Sequence, residues 1–197
     1  MKTPQPSPHH KPAFTLVELL VVIAIIAILA TLSSVAAGRI IGNAKKTQAK
    51  TALTALQLAV KAYQTEYNVL PSPVEPRPQE DNAGSAYDTS SKAGRDLVDI
   101  LTAKDVVGNP KGIRCYSPPA PSGRAGYTAA RGLIDIWGEN GYKVIMDFDG
   151  DGKITDPYDS ATGEEVHASV LIFCAGPNRH FDTWGNSAQV DDVKSWQ

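Results

Sequence analysis

The amino-terminal third of the chain is a long stretch without proline, in which apolar residues first dominate and then recur periodically. Residues 14–38 hold one charged side chain, Glu18, and as a helix they would extend about 37 Å, which is enough to cross a bilayer. Farther on, apolar residues recur at spacings of three and four, at Leu53, Leu56, Val60, Tyr63 and Tyr67. This spacing predicts one helix of about fifty residues, apolar all round in its first half and amphipathic in its second.

The rest of the chain has shorter patterns. Residues 142–146 and 166–174 are predicted strands that pair antiparallel across a turn rich in Asp and Gly, and residues 96–101 suit a short helix. Proline-, glycine- and serine-rich loops occupy residues 71–95 and 116–132. We therefore predict an α+β fold in which a long amino-terminal helix packs on a small antiparallel sheet. The predicted segments are a leader (1–13), a membrane-spanning half-helix (14–38), an amphipathic half-helix (39–70) and a globular head (71–197).

Composition limits the functional classes. The net charge is −2 over 197 residues, so no basic surface indicates nucleic acid. Two cysteines, Cys115 and Cys174, are too few for a disulfide framework; they could form one bridge outside the cytosol or remain two thiols. The four histidines show neither zinc spacing nor a nucleophile–base pattern. We expect no enzyme here.

An acidic loop between the two predicted strands raises the question of a metal. Residues 147–152 read DFDGDG, the first half of a calcium-binding loop, in which carboxylates at positions 1, 3 and 5 turn inward. The position that should hold a bidentate Glu is Tyr158. The candidate ligands are Asp147, Asp149, Asp151, Lys153 through its carbonyl, Asp156 and Asp159. The alternative is a hairpin turn without metal, because Asp-Gly pairs favour turns.

The single charge in the apolar run needs an explanation, since a carboxylate within hydrocarbon costs about 2.5–3.5 kcal/mol on insertion scales. Thr15 and Glu18 have the spacing of a capping box, in which Glu18 would satisfy backbone N–H groups at the start of the helix.

Residues 13–20, AFTLVELL, followed by the apolar run, resemble the prepilin signal of type IV pilins and type II secretion pseudopilins. The resemblance implies cleavage between Ala13 and Phe14 by a prepilin peptidase and N-methylation of Phe14. It also implies that Glu18 neutralises the new α-amino group of Phe14 on a neighbouring subunit. Two features depart from the pattern: Ala13 stands where most members have Gly, and the apolar run lacks a proline.

Three other segments resemble the major pseudopilin group: residues 63–71, residues 135–142 with their Asp-x-Trp-Gly motif, and the tail, 175–178 with 191–196. In that family a carboxyl-terminal loop holds a calcium ion, and Asp191 with Asp192 match its acidic pair. The resemblance therefore offers a rival to the metal site at Asp147.

These resemblances imply a structural subunit of a type II secretion pseudopilus or type IV pilus-like filament. Its partners would be copies of itself, other pilin-like subunits, prepilin peptidase, an inner-membrane assembly platform and membrane lipid. The chain would cross the bacterial inner membrane once and place its head in the periplasm.

Two other classes stay open. One is a membrane-anchored or secreted calcium-binding module that does not polymerise; the other is an extracytoplasmic enzyme with a signal anchor. Residues 34–36, Ser-Val-Ala, fit ordinary signal peptidase cleavage, which would give a chain beginning at Ala37. Basic residues after the apolar run outnumber those before it, which by the positive-inside rule places the carboxyl-terminal part in the cytoplasm. We give the leader motif more weight than this count.

Overall fold

The computed structural model of the chain describes residues 14–158, 163–181 and 191–196. The chain divides into two compact units, Met1–Gly42 and Asn43–Gln197. Its helices are α1 (Leu16–Tyr67) and α2 (Lys92–Leu101). The strands are β1 (Tyr87–Asp88), β2 (Gly126–Thr128), β3 (Gly132–Ile134), β4 (Lys143–Met146), β5 (Ile154–Thr155), β6 (Glu165–Val166), β7 (Val170–Cys174) and β8 (Val193–Lys194). The predicted α+β class is confirmed.

Helix α1 confirms the predicted long helix, with 52 residues. It ends where the sequence supplies a stop signal. Asn68 adopts a left-handed backbone conformation with φ 56°, which Asn tolerates better than most residues do. Its N–H still donates to the carbonyl of Gln64 at 2.8 Å, and Pro71 follows three residues later.

In the first unit, the described apolar side chains of Phe14 and of α1 from Leu16 to Leu29 are exposed. Phe14 is 79% and Leu16 80% exposed, and Leu29 is 58% exposed. A helix that is apolar on all sides is normally covered by another apolar surface. No helix within the described ranges is both long enough and apolar enough to cross a membrane.

In the second unit, the amphipathic part of α1 carries the predicted stripe. Leu53, Leu56 and Val60 are completely buried and Tyr63 is 6% exposed. They pack in one core with Leu97 of α2 and with the sheet. The apolar residues that recur periodically in the sequence thus form the face of α1 that packs against the rest of the second unit.

The main sheet is antiparallel with the order β1-β4-β7-β8. The predicted pairing of its two central strands is confirmed, since Val144 lies opposite Ile172 and Met146 opposite Val170. The predicted single strand 166–174 is instead two strands. β6 pairs with β5, with Ile154 opposite Val166, and this small hairpin closes the acidic loop. The chain therefore changes sheets at residues 167–169.

The main sheet is covered on both faces. All five residues of β7 are buried. Val170 and Ile172 belong to the core that contains α1. Leu171 and Phe173 point into a second cluster with Ile145 and Ile154, against which Tyr158, Phe181 and Trp196 pack. The second layer holds the carboxyl-terminal segment onto the sheet.

Candidate functional site

The start of α1 forms the capping box that the sequence predicts. The Thr15 N–H and its hydroxyl donate to Glu18 Oε2 at 2.9 and 2.8 Å, and the Glu18 N–H donates to Thr15 Oγ1 at 3.3 Å. Glu18 Oε1 accepts no hydrogen bond from any described residue. The carboxylate is thus fixed by one oxygen and keeps the other for a second donor. Ala13, the residue before the predicted cleavage point, lies outside the described residues.

The acidic loop gathers four carboxylates. Ligand atoms of Asp81, Asp147, Asp149 and Asp151 all lie within 4.8 Å of one another. Three of these residues were predicted as ligands. Asp81 was not, because it lies far away in the chain, in a proline-rich loop without local periodicity. Only a contact between two loops brings Asp81 to this site, and a sequence pattern does not show such a contact.

Hydrogen bonds from backbone N–H groups to the Asp147 carboxylate hold the acidic loop in its turn. Asp147 accepts from the N–H groups of Gly150 at 2.7 Å and Gly152 at 3.0 Å. Both glycines have positive φ, 78° and 81°, a conformation that Gly adopts at little cost. The loop therefore folds back on Asp147, which is buried, whereas Asp149 and Asp151 are exposed.

Burial and neighbouring carboxylates raise the pKa of two aspartates in this cluster. Burial, and then the Asp149 charge, raise the pKa of Asp81. Burial also raises the pKa of Asp147, and the hydrogen bonds from Gly150 and Gly152 oppose that rise. Because a divalent cation would remove the repulsion and prefers carboxylate oxygens, the residues present fit Ca²⁺.

The other predicted ligands are Lys153, Asp156 and Asp159, and the role predicted for the Lys153 carbonyl stays a prediction. Lys153 turns its side chain to Glu165, with Nζ 2.6 Å from Oε2. The Asp156 carboxylate accepts from the Tyr158 N–H at 2.9 Å and is not a member of the four-aspartate group. Asp159 lies outside the described residues.

The rival metal site lies beside a buried lysine. Asp191 Oδ2 accepts from the Asn178 N–H at 3.1 Å, and Asp192 accepts from the Tyr158 hydroxyl. Lys194 is 8% exposed, and its Nζ lies 3.6 Å from the centre of the Tyr158 ring. Burial lowers the pKa of Lys194, whereas Asp156 and Asp192 raise it. The carboxylate of Asp192 therefore already interacts with the ammonium group of Lys194.

No third metal-ligating residue joins Asp191 and Asp192 within the part of the chain that the structure describes. The calcium site that the resemblance implies at this pair stays a prediction.

The two cysteines are both free thiols. Cys174 is buried in β7 and Cys115 is half-buried. Burial raises the pKa of both thiols, so neither is activated as a thiolate nucleophile. The sequence leaves open either one disulfide bridge or two thiols, and the structure has two unpaired cysteines.

Comparison with known proteins bears on the amino-terminal segment. Residues 9–34 match the family model described as the prokaryotic N-terminal methylation motif. The chain thus carries a prepilin-type signal, which supports a pilin-like protein. This match covers the predicted cleavage point, the capping box and most of the exposed apolar helix. No curated protein and no solved structure matches the chain significantly.

Proposed function

We propose that this protein is a structural subunit of a type II secretion pseudopilus or a type IV pilus-like filament. Prepilin peptidase cleaves it between Ala13 and Phe14, and Phe14 becomes N-methylated. The chain is held in the bacterial inner membrane with its head in the periplasm until it is assembled. The observation that carries this proposal is the match of residues 9–34 to the methylation motif.

The exposure of the first half of α1 supports assembly. Fully covering a Val, Leu, Ile or Phe side chain contributes about 1.5–3 kcal/mol, and the side chains of these types from Phe14 to Leu29 are 45–80% exposed. Lipid covers this surface before assembly, and the helices of neighbouring subunits cover it afterwards. The same apolar surface is therefore covered both in the membrane and in the assembled filament.

Glu18 provides the specific contact in this scheme. Its Oε2 is held by Thr15, so the carboxylate has a fixed position before any neighbour arrives. Oε1 then accepts from the N-methylated amino group of Phe14 on the neighbouring copy. In an apolar surrounding, such a charge pair is favourable only when both partners keep their other hydrogen bonds, and the capping box supplies those for Glu18.

Substitutions at Glu18 and Thr15 separate docking from capping. Glu18→Ala removes both the cap and the free oxygen, whereas Thr15→Ala removes the side chain that holds the cap and leaves the carboxylate. We expect both variants to be inserted and trimmed. Glu18→Ala should leave the sheared, sedimentable filament fraction empty, while Thr15→Ala should lower that fraction only moderately, because loss of a cap costs about 0.5–2 kcal/mol. Normal incorporation of Glu18→Ala would contradict the docking role.

The four-aspartate group favours a second candidate function, a calcium-binding extracytoplasmic module that does not polymerise. In either case the ion would be structural, held by Asp81, Asp147, Asp149 and Asp151. It would join the loop that contains Asp81 to the acidic loop. If the wild-type chain binds Ca²⁺ but never enters a sedimentable fraction, this second function replaces the first.

A further inference from the structure

The head contains an apolar groove beside the amphipathic part of α1. Its volume is about 360 Å³, near the lower end of the range of about 300–1,000 Å³ for ligand pockets. The groove is therefore suited to a few side chains. Its apolar lining comes from α1, the loop before β2 and the segment around β3, and includes Ala52, Ala55, Pro119, Ala125, Ile134 and Ile136. We call it the α1 groove.

Two tyrosines in this lining have unused hydroxyl groups. Tyr116 and Tyr142 line the α1 groove and are 5% and 3% exposed. Neither hydroxyl makes a hydrogen bond to a described residue, whereas the hydroxyl of buried Tyr63 donates to the carbonyl of Gly108. Both hydroxyl oxygens are reached by solvent, so water occupies their donor positions until another acceptor replaces it. Two such donors point to an occupant that brings acceptor atoms as well as apolar side chains.

The same unit carries an exposed apolar projection at residues 105–108, which we call the valine tip. Val106 is 75% and Val107 92% exposed. Elsewhere in the described part of the second unit, the most exposed large apolar side chain is Leu58, at 61%. Adjacent solvent-exposed valines of this kind are typical of a contact surface when they occur together rather than singly.

The valine tip is held in one conformation. Asp105 Oδ1 accepts from the N–H groups of Val107 at 2.9 Å and Gly108 at 3.3 Å. The Tyr63 hydroxyl fixes the Gly108 carbonyl from α1. The carbonyls of Val106 and Val107 accept no hydrogen bond from a described residue. A preorganised segment loses little entropy on binding, and this one presents the acceptors that the two tyrosines lack.

Charge at the two places is complementary. On the tip side, Lys104 is paired with Asp99 at 3.7 Å, which leaves Asp105 as the uncompensated charge. At the rim of the α1 groove, Arg124 lies between the lining residues Ser122 and Gly126. Arg124 is exposed, and its guanidinium has no partner among the described residues. An acidic tip therefore faces a basic rim when the two meet.

The tip and the groove lie at different levels of α1. The tip contacts Tyr63, and the groove includes Ala52, eleven residues or about 16 Å earlier along the helix. A contact between two different patches of identical chains is heterologous, and unless it closes into a ring it repeats without limit. Such a contact suits a filament.

We propose that the valine tip of one copy of this chain inserts into the α1 groove of a second copy. Val106 and Val107 fill the apolar lining, Tyr116 and Tyr142 donate to the tip carbonyls, and Asp105 faces Arg124. This inference rests on the proposed filament function and adds to it the surface by which neighbouring heads recognise each other.

Cysteine cross-linking in cells that assemble the full chain tests the contact. In a Cys115→Ser background, Val107→Cys and Ala55→Cys chains are produced together and oxidised. We expect a mixed disulfide dimer in the polymer, and at least about tenfold less of it when Ala62→Cys, exposed on the same helix away from the groove, replaces Ala55→Cys. Cross-links only between like chains, or none in polymer that forms normally, would overturn the proposal.

A charge placed on the tip gives a second measurement. Val107→Asp should lower the polymer fraction at least about tenfold, which corresponds to about 1.4 kcal/mol, and Val74→Asp on another exposed loop should not. Equal polymer from both variants would contradict the tip contact and leave the filament function standing. If the wild-type chain forms no polymer, the filament function itself fails, and this inference fails with it.

Discussion

The two compact units handle their apolar residues in opposite ways. In the first, the side chains from Phe14 to Leu29 are exposed along one helix. In the second, the face of α1 with Leu53 and Leu56 is buried, and the sheet is covered on both sides. The head thus completes its own core, whereas the first half of α1 leaves its apolar side chains exposed, and we propose that lipid or other chains cover them. The first unit also carries the match to the methylation motif, over residues 9–34.

The head has an unfavourable feature of a different kind, a buried carboxylate. Asp135 is completely buried, and its Oδ2 has no hydrogen-bond partner among the described residues. Its other oxygen accepts from the Gly138 N–H at 2.9 Å. One unit therefore exposes apolar surface and the other buries a carboxylate.

The largest expected effect comes from the matched leucines of α1. Leu56 is fully buried and Leu58 is 61% exposed, although they lie two residues apart in the same helix. Leu56→Ala should destabilise the head by about 2–5 kcal/mol, and Leu58→Ala by less than about 0.5 kcal/mol. Chemical denaturation of the full chain in detergent measures both. Equal losses would mean that the two faces of this helix are not distinguished by packing.

A second effect is the pH dependence that Asp135 produces. Burial raises its pKa from the usual 3.8 to about 6, against the hydrogen bonds from residues 137–139 and the charge of Arg179. Because the folded-state pKa is the higher one, the contribution to stability is complete below about pH 4 and is lost as the pH rises through about 6. The difference corresponds to about 3 kcal/mol.

Asp135→Asn removes this titration and keeps an oxygen for Gly138. We expect the variant to be more stable than the wild type at pH 8, with a flatter profile between pH 4 and 6. Thermal midpoints measured across that range check the sign. A wild-type profile that rises with pH in this window, and is unchanged by the substitution, would show that Asp135 is ionised without penalty.

The third effect concerns the acidic loop. If Ca²⁺ is bound there, a concentration of 100 times Kd should stabilise the head by about 2.7 kcal/mol. Asp151→Asn should abolish this gain, and Glu164→Gln, an exposed neutral variant outside the four-aspartate group, should keep it. Midpoints with Ca²⁺ and with chelator are compared for each chain. The same midpoint in both conditions for the wild type would remove the metal proposal.

Sequence patterns predicted those parts of the fold that are set locally. The apolar run, the stripe at Leu53 and Leu56 and the pairing of the two central strands all depend on spacing within one segment. The second core could not be predicted in this way. Leu171 and Phe173 are buried because the carboxyl-terminal segment with Trp196 packs over them, and nothing near β7 indicates that cover.

The candidate sites show the same division. The capping box of Thr15 and Glu18 lies within four residues and was visible in the sequence. Three of the four clustered aspartates belong to one loop motif and were predicted, but Asp81 joins them only through tertiary folding. The α1 groove combines a helix, a loop and a strand, so it has no sequence signature at all.

The central claim is that residues 1–13 are removed and Phe14 becomes the modified amino terminus of an assembling helix. Intact-mass and amino-terminal peptide analysis of the protein from its own membrane fraction tests this most directly. We expect a single mature chain that begins at N-methylated Phe14. A chain that retains its initiator Met1, or one that begins at Ala37 after ordinary signal cleavage, would contradict it.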